Sequence, residues 1–351
     1  MDKTEKHIIL YISSNDGSDT RITKEIKTLV KKYDIIFIGV GDEEKFQMKS
    51  ECKDFLVVKG KRNHPLTILK QYLYIIKTLF QKRSISVHII NEQLMVLFYP
   101  IILIKPTVLD VFDSFFLKNG IGKGKLLWLK RIVYWPVNRV IVTDENRKTL
   151  MPDFIQHKIS VVPNYPFKTH GIIKSNQSSK DHITILFFGW LGESRGGKQA
   201  KELLEASKKV KIIMIGWFSD AFCKQLSLHN RVEYLGIMPQ EEALKVAARK
   251  ADYILCLYEP RNLNQINASP NKIYDSIHTY TPVIINSEVK IAKFVQKENI
   301  GIVIDNYYEA LDGAFVRMLE ERLGSFAFSL ALIEQYNWNS IEPELISTHQ
   351  L

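Results

Sequence analysis

Short apolar runs, each followed by a polar loop and then by apolar residues three and four apart, recur along the whole chain. The first unit of this kind is the strand His7 to Ile12, the loop Ser13 to Thr20 and a helix with Ile22, Ile26, Leu29 and Val30 on one face. The strand Ile35 to Val40 closes it. Further strands are predicted at Ser86–Ile90, Pro106–Leu109, Val140–Thr143 and Ile159–Val162, and then at Ile183–Phe188, Lys211–Ile215, Arg231–Gly236, Asp252–Tyr258 and Val283–Ile285. Helices are predicted between many of them, among others at Lys198–Lys209, Gln240–Arg249 and Ala310–Leu323. Strands alternating with helices predict parallel α/β sheets. A polar stretch without aromatic residues, Lys168 to Asp181, has the composition of a linker. It divides the chain into domains at 1–168 and 181–330, with a tail at 331–351 whose Tyr336-Asn-Trp338 is expected to pack back across them.

The segment Ala268 to Ile285, ASPNKIYDSIHTYTPVII, organises the second half. Ser269-Pro270 reads as a helix cap followed by proline at the first helical position. Ile273, Ile277 and Tyr280 supply a helical face, and Thr281-Pro282 stops it. The first turn carries Asn271, Lys272 and Asp275, so a cation and a carboxylate stand beside unpaired backbone N–H groups. That chemistry suits a phosphate and a hydroxylated sugar; a capped helix with a solvated face is the plainer alternative.

At 351 residues, 46% hydrophobic and 25% charged, the chain has the composition of an ordinary globular protein with room for two cores. The longest apolar run, Leu94 to Ile104, contains Pro100 and falls well short of the ~20 residues that span a bilayer. The amino terminus has no signal-peptide pattern. Cys52, Cys223 and Cys256 show no metal spacing, which fits a reducing cytoplasm. The net charge of +10 resides in the first half. It concentrates in Lys53 to Arg83, where Asp54 is the one acid, and an apolar helix lies between Lys61-Arg62 and Lys82-Arg83. Residues 59–83 suit an anionic membrane surface, and are also compatible with a core helix that has a solvated edge. Nucleic acid is disfavoured, because aromatic residues at stacking intervals are few.

Other candidate positions lie where α/β proteins bind ligands, at the carboxyl ends of strands. Gly17 could admit a close backbone approach. Asp19 and Arg21 are either a cap and a surface charge or part of a cleft lining. Asp113, after the strand ending in VLDVFD, is either an acceptor-side polar group or base, or a helix cap. In the glycine-rich loop Gly189 to Gly197, Arg195 can reach a diphosphate through two parallel N–H bonds. Neither the first loop nor Gly120-Ile-Gly-Lys-Gly124 matches a dinucleotide or Walker phosphate motif.

Together DTRITKEIKTL, VLDVFD, KISVVPN, FFGWLGESRGG, RVEYLG, ADYILCLYE, SPNKIYDSIHTYTPVI and QYNWNSI resemble, in order and spacing, the retaining glycosyltransferases of family 4, over nearly the whole chain. The resemblance implies a GT-B fold: two facing, doubly wound Rossmann-like domains with a C-terminal helix returning to the first. It implies a nucleoside-diphosphate-sugar donor on the second domain, with Arg195 and Lys272 on the diphosphate and Asp275 on the ribose. Gly189, Gly196, Gly216, Trp217, Leu235, Gly236, Ser269, Pro270 and Asn271 would complete the donor site. Gly17, Asp19 and Arg21 would approach it from the first domain, and Asp113 would face the acceptor.

Two positions depart from the family pattern. Asn267 stands where the partner carboxylate of Asp275 is usual, and Trp190 where an arginine is common. Both fit the branch that builds capsules, O-antigens and exopolysaccharides. The expectation is therefore a cytoplasmic enzyme, peripheral to the membrane, acting on a lipid-linked or growing glycan. The chain has no Asp-x-Asp, so no metal or other cofactor is expected. A sugar-nucleotide epimerase and a non-catalytic nucleotide-sugar-binding protein are the alternatives.

Overall fold

The computed structural model describes residues 6–62, 64–81, 85–168, 174 and 181–351. The chain divides into two compact units, Met1–Asn164 with Ile341–Leu351, and Tyr165–Ser340. Most of the expected linker, and Lys82 and Arg83 of the basic segment, lie outside the described residues. The chain joins the second unit at Tyr165, ahead of that linker. There the Tyr165 ring packs 4.5 Å from Tyr274 and 5.6 Å from Tyr336, and the Pro166 carbonyl accepts from the Trp338 amide at 2.7 Å. The same contacts hold 331–340 in the second unit, so the returning segment begins at Ile341.

The first unit runs β1 (Ile8–Ile12), α1 (Thr20–Leu29), β2 (Asp34–Val40), β3 (Asp54–Val58), α2 (Pro65–Gln81), β4 (Ile85–Ile90), α3 (Asn91–Leu97) and α4 (Tyr99–Ile102). It continues through β5 (Thr107–Val111), α5 (Phe115–Lys118), α6 (Leu127–Tyr134), β6 (Arg139–Val142), α7 (Glu145–Leu150) and β7 (Ile159–Val161). The strands form one parallel sheet in the order β3-β2-β1-β4-β5-β6-β7. Helices cover both faces of such a sheet, so its central strands read as unbroken apolar runs. Ile9, Leu10, Tyr11 and Ile12 of β1 are all fully buried.

One polar network runs through this core. Arg21 is buried, against the surface-charge reading; its guanidinium meets Asp110 at 3.0 Å and Glu25 at 2.7 Å and donates to the Val162 carbonyl. Asp19, its neighbour, caps α1 by accepting from the Arg21 amide. Two buried carboxylates share one guanidinium, so one of them keeps a proton. Burial, reinforced by Glu25 and only partly offset by Arg21, pushes Asp110 up to about 8. His88 and His349 stack and share a 3.0 Å nitrogen–nitrogen hydrogen bond, and burial holds both neutral, at about 4 and about 3. His349, together with Glu342 on Thr28 and Lys31, fastens the returning segment to this unit.

The helix α2 packs on the core through Ile75, with Tyr72, Tyr74 and Leu79 partly buried against it. It turns Thr67, Gln71, Ile75 and Thr78 inward, while Leu66, Leu69, Leu73, Ile76 and Phe80 are exposed. The helix is thus a core helix, as one reading expected, but its exposed edge is apolar rather than polar.

The second unit runs β8 (Ile183–Leu191), α8 (Gly197–Ala206), β9 (Val210–Phe218), α9 (Ala221–Leu226), β10 (Val232–Tyr234), α10 (Gln240–Lys250) and β11 (Tyr253–Leu255). Then follow α11 (Leu263–Ile266), α12 (Asn271–Thr279), β12 (Val283–Asn286), α13 (Ala292–Lys297), β13 (Gly301–Ile304), α14 (Gly313–Arg322) and α15 (Leu330–Gln335). The last helix, α16 (Trp338–Thr348), begins here and contributes Ile341 onward to the first unit. The sheet is parallel, in the order β10-β9-β8-β11-β12-β13. Strand order reverses between β8 and β11, so the loops after these two strands diverge and leave a crevice at their carboxyl ends.

Candidate functional site

Gly189 and Trp190 were expected in the glycine-rich loop and the next strand was read as Lys211–Ile215, but the register carries β8 and β9 further, pairing Gly189 with Gly216 and Trp190 with Trp217. This close pairing requires glycine: a Cβ on Gly216 would sit 1.9 Å from the Gly189 carbonyl oxygen, and its φ is +130°. The Gly216 amide also donates to the Gly236 carbonyl at 2.8 Å, which draws the end of the RVEYLG segment, with Leu235, to the same edge. Gly216→Ala is accordingly expected to destabilise the second unit by about 2–4 kcal/mol. Thermal unfolding of the variant checks this.

The loop proper begins at Gly192 and is fixed at several points. Asp220 accepts from the Glu193 amide at 2.7 Å, and the Gly192 carbonyl accepts from the amides of Arg195 and Gly197. Ser194 accepts from the Glu259 amide, tying this loop to the one after β11. Gly196, with φ at +106°, lies so close to Leu255 that a Cβ would approach that side chain to 3.0 Å. Arg195 thus leaves a rigid turn with its guanidinium carbon 4.2 Å from the Tyr258 ring centre and 5.9 Å from that of Trp190.

Lys272 lies on the first turn of α12. Its ammonium donates to the Leu255 carbonyl at 3.2 Å and lies 5.3 Å from the Phe187 ring centre and 5.6 Å from that of Phe188. These apolar walls push its pKa down to about 8, and the Arg195 charge pushes the same way. Both cations act on the thiol of Cys256, which burial raises to about 11 and they partly restrain. Arg195 and Lys272, 77 positions apart in sequence, therefore share one electrostatic environment at the carboxyl ends of β8 and β11.

The neighbouring positions have definite partners. Pro270, not Ser269, occupies the cap position of α12. The helix begins at Asn271, so Ser269 lies one position before the cap, and its hydroxyl is 2.9 Å from that of Tyr274. Asp275 is buried and accepts from Gln240 at 2.7 Å. Asn267 ends α11 and donates to the Leu263 carbonyl. Asn271 starts α12, partly exposed.

In the first unit, Gly17 has φ +86° and a Cβ there would strike the Phe46 ring. Its glycine requirement is thus met by packing. Asp113 is exposed and 3.7 Å from Arg147, while Ser114 caps the helix that follows. Arg21 is committed to the buried network. Glu25, His88 and Asp110 are close enough to hold a metal ion, but the Arg21 guanidinium already bridges both carboxylates.

Two residues of the second unit went unnoticed in the sequence. Tyr258 carries the ring beneath Arg195, and Asn286 holds Tyr258 through a pair of 3.0 Å bonds, one to its amide and one from its own amide to the Tyr258 carbonyl. An asparagine closing the apolar run Val283-Ile-Ile285 was the one available signal.

No family model matches the chain, and no curated protein does. Solved structures do. The Anabaena protein HepE, in complex with UDP and glucose, is similar over 97% of this chain and 99% of that one, at 14% identity and a TM-score of 0.71. A sucrose-phosphate synthase from Thermosynechococcus elongatus is similar over 98% of each chain, at 12% identity and a TM-score of 0.72. The lipopolysaccharide outer core galactosyltransferase WaaB is similar over 97% of this chain and 98% of that one, at 14% identity and a TM-score of 0.61. The two parallel sheets with their helices thus have the GT-B fold.

Proposed function

We propose that this chain is a glycosyltransferase, moving a sugar from a nucleoside-diphosphate donor to a lipid-linked or growing glycan acceptor in surface-polysaccharide synthesis. The observation that carries the reading is the convergence of Arg195 and Lys272 on one crevice beside the first turn of α12. A diphosphate there would meet two cations and the positive end of a helix. As the glycosidic bond breaks, negative charge grows on the leaving diphosphate, and fixed positive charge in a dry crevice lowers that barrier. Trp190 and Trp217, 55% and 52% exposed, offer flat surfaces at the same strand ends for a nucleobase or sugar ring. The complex of HepE with UDP and glucose makes UDP the first nucleotide to try.

The reaction proceeds with retention of anomeric configuration and without a metal, on the cytoplasmic side of a membrane. Arg195 and Lys272 do the work that a divalent ion does elsewhere, and Asp113 contacts the acceptor. A thermal-shift screen against UDP, GDP, ADP and their sugars tests donor binding, because a ligand of the native state raises its melting temperature. One nucleotide is expected to stand out. Turnover with the matching sugar is expected to survive EDTA; activity that EDTA abolishes and magnesium restores would overturn the metal-free reading.

A further inference from the structure

Two helices of the first unit carry apolar side chains on their outward face as well as on the face that meets the core. On α2 the inward face holds Thr67, Gln71, Ile75 and Thr78, with Tyr72, Tyr74 and Leu79 partly buried against the core, whereas the outward stripe is Leu66, Leu69, Leu73, Ile76 and Phe80, with Phe80 87% exposed. These five recur at alternating intervals of three and four, one continuous row along the helix. Lys70 and Lys77 are exposed along its edge, and Lys61 and Arg62 just before the helix. The helix α6 likewise buries Val133 and Tyr134 yet exposes a second apolar face. Lys130 is buried, its ammonium donating to the carbonyls of Gly122 and Lys123, while Leu127, Trp128, Ile132 and Trp135 are exposed, Trp135 at 72%.

The two helices belong to one layer. Ile75 of α2, Phe98, Ile101 of α4 and Val133 of α6 share a single core on the same side of the sheet. Tyr72 of α2 bonds to the Leu97 carbonyl, and Tyr99 of α4 to that of Ile132. An exposed apolar row of this size marks a surface made for contact. Its chemistry selects the partner. Tryptophans beside aliphatic side chains and flanking lysines match the headgroup region of a bilayer with negative charge. No helix among the described residues is long and apolar enough to cross a membrane, so such helices lie on the surface.

We infer that the outward faces of α2 and α6 dock this protein onto an anionic lipid bilayer. The inference deepens the membrane side of the proposed function and rests on that reading only for the use of the contact. Docking itself is read without donor or acceptor, so its failure and that of glycosyl transfer are distinguishable.

The experiment is flotation of the full chain with vesicles of phosphatidylcholine alone and of phosphatidylcholine with phosphatidylglycerol. The wild-type chain is expected to partition at least about tenfold more strongly onto the anionic vesicles. Leu73→Glu with Phe80→Glu should lower that partitioning about a hundredfold, and Trp128→Ser with Trp135→Ser should lower it about tenfold. Lys70→Ala and Lys77→Ala should each lower the anionic preference about fivefold. Leu228→Glu, at an exposed apolar position of the second unit, should change nothing. Unaltered nucleotide affinity and thermal unfolding certify that the variants are folded. Equal binding to both vesicle types, wild-type binding by the Leu73→Glu, Phe80→Glu variant, or a vesicle-indifferent dimer that this variant dissociates would overturn the proposal.

Discussion

Lys272→Met is expected to cut turnover by about 10²–10³-fold, the scale of losing one preorganised charge that stabilises a leaving group. Methionine keeps the stem that packs on Phe187 and Phe188, so thermal unfolding should change little. The loss should also appear in diphosphate affinity, with a pH signature. Burial holds the Lys272 pKa down to about 8, so the free protein loses this charge as pH rises through 8. A diphosphate binds the protonated form better, and affinity should fall about tenfold between pH 7 and pH 9. In Lys272→Met that dependence should vanish. Titration calorimetry with UDP across this range reads both effects.

The largest stability effect is expected at Arg21. Arg21→Met removes the only positive charge between two buried carboxylates, Glu25 and Asp110, and should cost the first unit about 3–5 kcal/mol. For a unit of this size that is on the order of 10 °C in melting temperature. The sign with pH is fixed by Asp110, whose folded pKa of about 8 lies above the ordinary carboxylate value. A carboxyl raised on folding contributes stability that is fully present below about pH 4 and is lost as pH rises towards 8. The cost of Arg21→Met should therefore be smaller at pH 5 than at pH 8. Adding Asp110→Asn should recover part of it at pH 8, where it removes a carboxyl that is ionising beside Glu25. Melting curves at the two pH values check all three statements.

The apolar runs that became β1, β2, β4, β8 and β12 were legible because strands covered on both faces carry little else. Arg195 and Lys272 were singled out because each follows a buried strand, and both lie close enough to Cys256 to act on its thiol. Strand ends were harder. Trp190 and Trp217 extend β8 and β9 through glycines that locally read as a loop, and only the cross-strand pairing of Gly189 with Gly216 shows why. The direction of α2 was beyond periodicity, which finds a stripe without saying which side meets the sheet. Arg21 could not be placed because Asp110 lies 89 residues away. Ser269 was read as a cap by residue type, but the helix starts one residue later, with Pro270 at the cap position, and the Ser269 hydroxyl meets that of Tyr274.

The central claim is that two cations distant in sequence act on one diphosphate. The direct measurement is a double-mutant cycle of Arg195→Ala and Lys272→Met, reading affinity for UDP and for uridine by titration calorimetry. Each variant should weaken UDP at least about tenfold and leave uridine unchanged, and the two losses should be non-additive, as for groups that share one ligand. Wild-type affinity for UDP in both variants, or losses of the same size for uridine, would contradict it.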